Sequence, residues 1–295
     1  MAFNWQSFKT RTLTAAIFVV VMLAGLLINH WTFFILFSII HFGCWMEYQK
    51  LVGLIDKNYA DITPFHKYGV MIAGWCIMLY FTNDAYNIFG LRLHELGWWL
   101  GIIFIFLLPI LELLFEDHIH LKNIAFSSLG LIYISLSWGL MMDLFGEKDI
   151  HLYDTIIVVA AKNFIPLVII ASIWINDTMA YIVGSFIGKN PLSKISPKKT
   201  WEGTAGGIIL SVGVIFVLAK YVLKYEYLSY HMAIIAAIAS ITGTFGDLLE
   251  SKLKRLAGVK DSGHIMPGHG GFLDRFDSLL VAIPFVWLYV YFFMK

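Results

Sequence analysis

Apolar runs near membrane-spanning length recur along the whole chain, at residues 13–28, 31–47, 68–82, 98–115, 124–142, 155–175, 206–223, 231–250 and 278–294. A bilayer core takes a helix of roughly 20 apolar residues, and no open sheet or loose loop can lie in it with its peptide groups unbonded. The runs therefore predict an all-α, polytopic integral membrane protein of about nine transmembrane helices. Composition agrees, because 59% of the 295 residues are hydrophobic and only 14% are charged, too few charges to coat a soluble domain of this length. Lys162 and Pro166 interrupt the sixth run, which predicts a kink there or a later start. The first run is followed at once by another span and by no small-residue cleavage site, so it reads as an uncleaved helix rather than a secretory signal.

The basic residues orient the chain. With the N-terminus in the cytoplasm, only Arg92, Lys148, Lys162, Lys220, Lys224 and Lys295 of the 21 lysines and arginines fall on the outer side or within spans. The polar loops 176–205 and 251–277 then face the cytoplasm, where nucleotides and magnesium are available. A net charge of +1 gives no basic field for nucleic acid, so an anionic ligand must be held by local clusters. Cys44 and Cys76 lie in apolar runs and read as small hydrophobes. No internal repeat, low-complexity tract or long linker is visible. By content the chain divides into N-terminal transmembrane helices, 1–173, and a catalytic transmembrane part, 174–295, carrying both loops.

Ionisable residues crowd into the second loop. Lys252, Lys254, Arg255, Lys260, Asp261, His264, His269, Asp274, Arg275 and Asp277 follow one another there, and Asp247 stands just before them near the end of an apolar helix. Asp247 shares a helix face with Ala239, Gly243 and Ser251, small neighbours that let another backbone approach. An acid at a membrane boundary needs a partner, either Lys252 or Arg255 or a hard divalent cation held jointly with a later acid. Asp274 and Asp277, three apart, read equally as an acidic helix start or as ligands. Gly268-His269-Gly270-Gly271 frees the backbone for a plain turn or a phosphate cradle. His264 and His269, with no cysteine near, make a poor zinc set.

The first loop opens with Asn176-Asp177-Thr178-Met179-Ala180-Tyr181, and Gly184 and Gly188 form a close-packing stripe. It continues as Ser196-Pro197-Lys198-Lys199-Thr200-Trp201-Glu202-Gly203, whose paired lysines suit either a triphosphate or anionic headgroups.

Taken together, these residues resemble the CDP-diacylglycerol synthase, or phosphatidate cytidylyltransferase, family. The resemblance rests on Ser251, Lys252, Lys254-Arg255, Lys260-Asp261, Pro267, His269-Gly270-Gly271, Asp274-Arg275 and Asp277 in order, with the Asp177 and Ser196-to-Gly203 runs upstream. It covers Trp174 to Asp277 and continues into the last helix, whereas residues 1–173 match only as apolar spans. It implies a magnesium-dependent reaction of CTP with phosphatidic acid in a bacterial inner membrane, giving CDP-diacylglycerol and pyrophosphate, and a homodimer without nucleic acid. Such chemistry needs positioning and charge neutralisation rather than a strong base, because the attacking lipid phosphate is already ionised.

On this resemblance Asp247 and Asp274 are expected to hold magnesium, with Asp277 as substitute or outer partner. Asp177, Ser196, Lys198, Lys199, Thr200 and Glu202 are expected to bind the nucleotide or close the loop. Arg275 and the lysines are expected to steady the departing pyrophosphate. Lys252, Lys254, Arg255 and His269 are expected to meet the lipid phosphate, and Lys260, Asp261, Gly270 and Gly271 belong to the same binding set. A CTP-dependent polyprenol or phytol kinase is the rival enzyme. A transporter is the rival class, although its ionisable residues belong near the bilayer midplane.

Overall fold

The computed structural model describes residues 5–115, 120–145, 164–222, 224, 226–264 and 270–294. The first part of the sixth predicted run, with Lys162, lies outside the described residues, as do Lys148, His118, His269 and Lys295. The helices are α1 (Trp5–Leu27), α2 (His30–Ile55), α3 (Lys57–Ala60), α4 (Pro64–Tyr80), α5 (Leu93–Phe115), α6 (Leu121–Phe145), α7 (Phe164–Ile187), α8 (Trp201–Val222), α9 (Glu226–Leu256) and α10 (Leu273–Phe293). A two-residue hairpin, β1 (Asn87–Ile88) with β2 (Leu91–Arg92), precedes α5.

Local sequence accounts for several boundaries. Asn29 and Thr32 form a reciprocal cap on α2, Thr32 N donating to Asn29 Oδ1 at 2.9 Å. Thr63 caps α4 ahead of Pro64, which needs no N–H in the first turn. Pro166 falls in the first described turn of α7.

Six helices are long and apolar enough to cross a membrane: α5, α6, α7, α8, the Leu228–Leu256 portion of α9, and α10. The nine predicted runs coincide with helix over their described residues except at the ends, where Ile28, Phe81, Thr82 and Met294 lie outside helix, but α1, α2 and α4 fall short of that length and apolarity together. Exposed Ile103, Ile105, Phe106, Leu113 and Leu114 on α5 have no place in water and suit lipid. The protein is an all-α membrane protein.

The chain packs as two interleaved units, residues 1–143 with 253–276, and 144–252 with 277–295. This division by packing is not the division by motif at 173/174, which falls inside α7. In the first unit Phe37 packs at a tilt against Trp138, and Trp138 meets Phe276 edge-on. Trp45 Nε1 donates to Ser135 Oγ at 2.8 Å, and Tyr48 OH to the Phe126 carbonyl at 2.8 Å, so these two buried aromatics keep their hydrogen bonds.

His66 bridges Glu112, at 2.6 Å from Nδ1, and Ser127, at 2.7 Å from Nε2. Replacing His66 by Ala strands the Glu112 carboxylate, whose side chain is only 12% exposed. That change is expected to destabilise the protein by about 3 kcal/mol, read as a lower melting temperature in detergent, with part of the loss recovered by adding Glu112→Gln. An unchanged melting temperature in His66→Ala would mean that the pair contributes nothing.

In the second unit α7 and α8 approach through small residues. A side chain at Gly207 would strike the Asn176 carbonyl, and one at Gly203 the Ala180 carbonyl, so these glycines set the helix spacing. Gly246 of α9 lies similarly against the Asp277 and Ser278 backbone of α10.

Candidate active site

The first motif loop folds on its own polar residues. Glu202 accepts hydrogen bonds from the backbone N–H groups of Lys189 (3.1 Å) and Asn190 (3.2 Å) and from Asn190 Nδ2 (2.6 Å). Thr200 caps α8 by accepting from Gly203 N at 3.1 Å, and Leu192 N donates to the Lys199 carbonyl at 2.7 Å. The loop is thereby drawn back over the α7 face that carries Asp177, Ala180, Tyr181 and Gly184.

Beneath it lies a cavity of about 450 Å³. Its walls are Asn176, Asp177, Ala180, Tyr181, Gly184 and Ser185 of α7, Ser196, Lys198, Lys199 and Thr200 of the loop, Thr204 of α8, and Thr244 and Asp247 of α9. Two lysines, six further polar side chains and two acids converge there, a lining suited to a phosphorylated polar ligand. Lys199 Nζ is bonded to Asp247 Oδ2 at 2.5 Å. Asp247 is therefore paired from the first loop rather than with Lys252 or Arg255, the partners nearest in sequence. Asp277 is buried in the same unit, its Oδ1 accepting from Ser278 N at 2.6 Å, and it lies within electrostatic reach of Asp247, Asp177 and Lys199.

The signature loop belongs to the first unit up to Phe276 and is closed by hydrogen bonds to Asp274. Lys254 Nζ bonds Asp274 Oδ1 at 2.6 Å, and Ser262 N (2.9 Å) and Gly271 N (2.8 Å) donate to Oδ2, with Ser262 Oγ also 2.9 Å away. Gly270 has φ +82, a conformation that glycine adopts without strain. Gly271 spends its N–H inside the loop. Lys252, Arg255, Lys260, Asp261 and Arg275 are exposed, and Arg255 Nη1 donates to the Val259 carbonyl at 3.0 Å.

Among the described residues no group of three or more His, Cys, Asp or Glu side chains converges as a ready-made metal cage. Magnesium does not require one, since it takes one or two carboxylates and completes its shell with water and phosphate oxygens. Two features fit that ion. Asp247 and Asp274, the expected ligands, each carry one lysine nitrogen directly on a carboxylate oxygen, the charge partner that a cation would replace. The buried Asn176 Oδ1, in the cavity wall, accepts no hydrogen bond among the described residues and is a hard oxygen donor.

Sequence reasoning found Asp177, Ser196, Lys198, Lys199, Thr200 and Asp247, all of which line the cavity. It missed Asn176, Thr204 and Thr244 as lining residues. Thr244 was legible, because it lies three residues before Asp247 on one helix face. Glu47, which accepts hydrogen bonds from Ser262, Phe272 and Leu273, was missed although a lone acid in an apolar helix is itself a signal.

A helical membrane protein with a lysine- and hydroxyl-lined cavity facing paired acids is the frame of a nucleotide-handling membrane enzyme. The chain belongs to the cytidylyltransferase family, which it matches over residues 9–293. It is 32% identical over 277 residues to a phosphatidate cytidylyltransferase of Staphylococcus saprophyticus, covering 94% of this chain and 96% of that protein. A phosphatidate cytidylyltransferase of Bacillus subtilis is 50% identical over 119 residues, 39% of this chain and 43% of the other. One from Synechocystis is 43% identical over 126 residues, 43% of each.

Proposed function

We propose that this protein is a phosphatidate cytidylyltransferase of phospholipid biosynthesis, joining CTP to phosphatidic acid to give CDP-diacylglycerol and pyrophosphate. The observation that carries the reading is the Lys199–Asp247 pair in a cavity rimmed by Ser196, Lys198, Thr200 and Thr204, within a chain of this family. A phosphate oxygen of phosphatidate attacks the α-phosphorus of CTP, the α–β bridging bond breaks, and its electron pair leaves with pyrophosphate. The nucleophile is already ionised at neutral pH, so the residues have charge to balance and atoms to align rather than a proton to remove.

Lys198 and Lys199 neutralise the triphosphate, and the hydroxyls of Ser196, Thr200, Thr204 and Thr244 hydrogen-bond its oxygens. Glu202 keeps the loop folded over it. Asp247 and Asp274 would hold magnesium, with Asp277 as the substitute acid, and that ion would supply neutralisation of the phosphate charge. Arg275 and the signature lysines steady pyrophosphate, while Lys252, Arg255 and His269 meet the lipid phosphate. Lys254 is the counter-ion of Asp274 when the metal is absent. We also propose nine membrane spans, a cytoplasmic N-terminus and active-site face, a bacterial inner membrane and a homodimer, readings supported by the apolar runs, the distribution of basic residues and the family.

Purified protein in liposomes with labelled CTP and phosphatidate tests the reaction. CDP-lipid with pyrophosphate is expected; CDP with a lipid monophosphate would mean a kinase instead, and no product would overturn the reading. Lys199→Ala is expected to raise the KM for CTP about tenfold or more, since a charge-assisted contact to phosphate is lost, with little change in the phosphatidate requirement. Equal weakening towards both substrates would remove Lys199 from the nucleotide site.

A further inference from the structure

We infer that Glu47, in the N-terminal half of the chain, is a positioning residue for the reaction: its buried carboxylate closes the signature loop and sets the start of the helix bearing Asp274, Arg275 and Asp277. The inference rests on the cytidylyltransferase reading and adds to it a residue from a region in which no motif is visible.

Glu47 lies on α2, between Met46 and Tyr48, and is 8% exposed. Ser262 Oγ donates to its Oε2 at 2.6 Å, Leu273 N donates to the same oxygen at 2.8 Å, and Phe272 N donates to Oε1 at 2.9 Å. A buried carboxylate is costly unless its lone pairs are met, and here donors from the two ends of one loop meet them. Phe272 and Leu273 stand at the start of α10, where N–H groups have no partner within the helix and the dipole favours an anion. Glu47 supplies that anion from another helix.

The loop is shaped to receive it. A Cβ on Gly263 or on Gly271 would run into the Glu47 carboxyl group, which is the nearest side chain to both. These signature glycines therefore make room for an acid of the same unit. Ser262 completes the clamp, since its Oγ lies between Glu47 Oε2 and Asp274 Oδ2. Moving Glu47 consequently moves Asp274 through one hydroxyl group and the first turn of α10. The nucleotide cavity is lined by other residues, so its affinity for CTP in the absence of magnesium gives an independent control.

Glu47→Gln tests the role with little change in volume. The amide can accept from one backbone N–H, but its NH2 group then faces another donor, so the loop end is no longer fixed. Turnover with CTP and phosphatidate is expected to fall about a hundredfold, the order reached when reacting groups are displaced by about an ångström, while CTP binding measured without magnesium stays within about twofold of wild type. Wild-type turnover in Glu47→Gln would overturn the inference. A parallel collapse of turnover, CTP binding and melting temperature would also overturn it, by reducing Glu47 to a fold-stabilising residue.

A size exchange reads the geometry without turnover. Gly271→Ala is expected to lower the melting temperature of the wild-type protein and to have no added effect in a Glu47→Ala background, where the collision is gone. Equal melting losses in both backgrounds would count against the contact. A wild-type protein that makes no CDP-lipid would sink the functional reading, and the size exchange would still decide whether Glu47 closes the loop.

Discussion

Asp247→Asn is expected to reduce CDP-lipid formation about a thousandfold while the protein still inserts and melts as wild type, because the carboxylate proposed to hold magnesium loses its charge with almost no change in volume. Asp247 is also the ion partner of Lys199. With Asn at 247 that ammonium keeps its charge and loses its counter-ion, so CTP binding in the absence of magnesium is expected to persist or strengthen as turnover disappears. Filter binding of labelled CTP, with and without magnesium, separates the two effects. Near-normal turnover in Asp247→Asn would remove Asp247 from the metal site, and loss of CTP binding would make it a nucleotide-positioning group instead.

Asp274→Asn is expected to have nearly as large an effect on turnover, about a hundredfold or more, but with a different accompaniment. Oδ2 of Asp274 accepts from Ser262 N and Gly271 N, and Oδ1 from Lys254. An amide can satisfy one side of this arrangement only, and its NH2 group then faces either Lys254 or two backbone donors. Stability is therefore expected to fall by about 2 kcal/mol as well, since a buried donor is left without an acceptor. Melting and turnover measured together distinguish the cases. Loss of stability at full turnover would leave Asp274 a loop-closing residue and transfer the metal role to Asp277.

The cavity shows how far the sequence was legible. Asp177, Ser196, Lys198, Lys199 and Thr200 were readable because polar residues at helical or loop spacing inside an apolar chain have few reasons to be there. The partner of Asp247 was not readable. Sequence proximity favoured Lys252 or Arg255, whereas the folded loop delivers Lys199, because Glu202 and the Thr200 cap turn residues 189–200 back over α7. The signature glycines illustrate the same limit. Gly270 and Gly271 suggested a phosphate cradle or a turn, and what occupies the space beside Gly271 is a carboxylate from α2.

Hydrophobic run length and the scarcity of charge were enough, by themselves, to determine a helical membrane protein and to direct the search for its chemistry to two polar loops, because lipid disfavours other placements of backbone and charge. Motif order was enough to indicate the family. Which lysine meets which acid, and that Glu47 reaches the signature loop, were decided only by tertiary structure. The Glu47 contacts join residues more than 200 positions apart, to Ser262 and Leu273, and no local periodicity encodes a contact between helices.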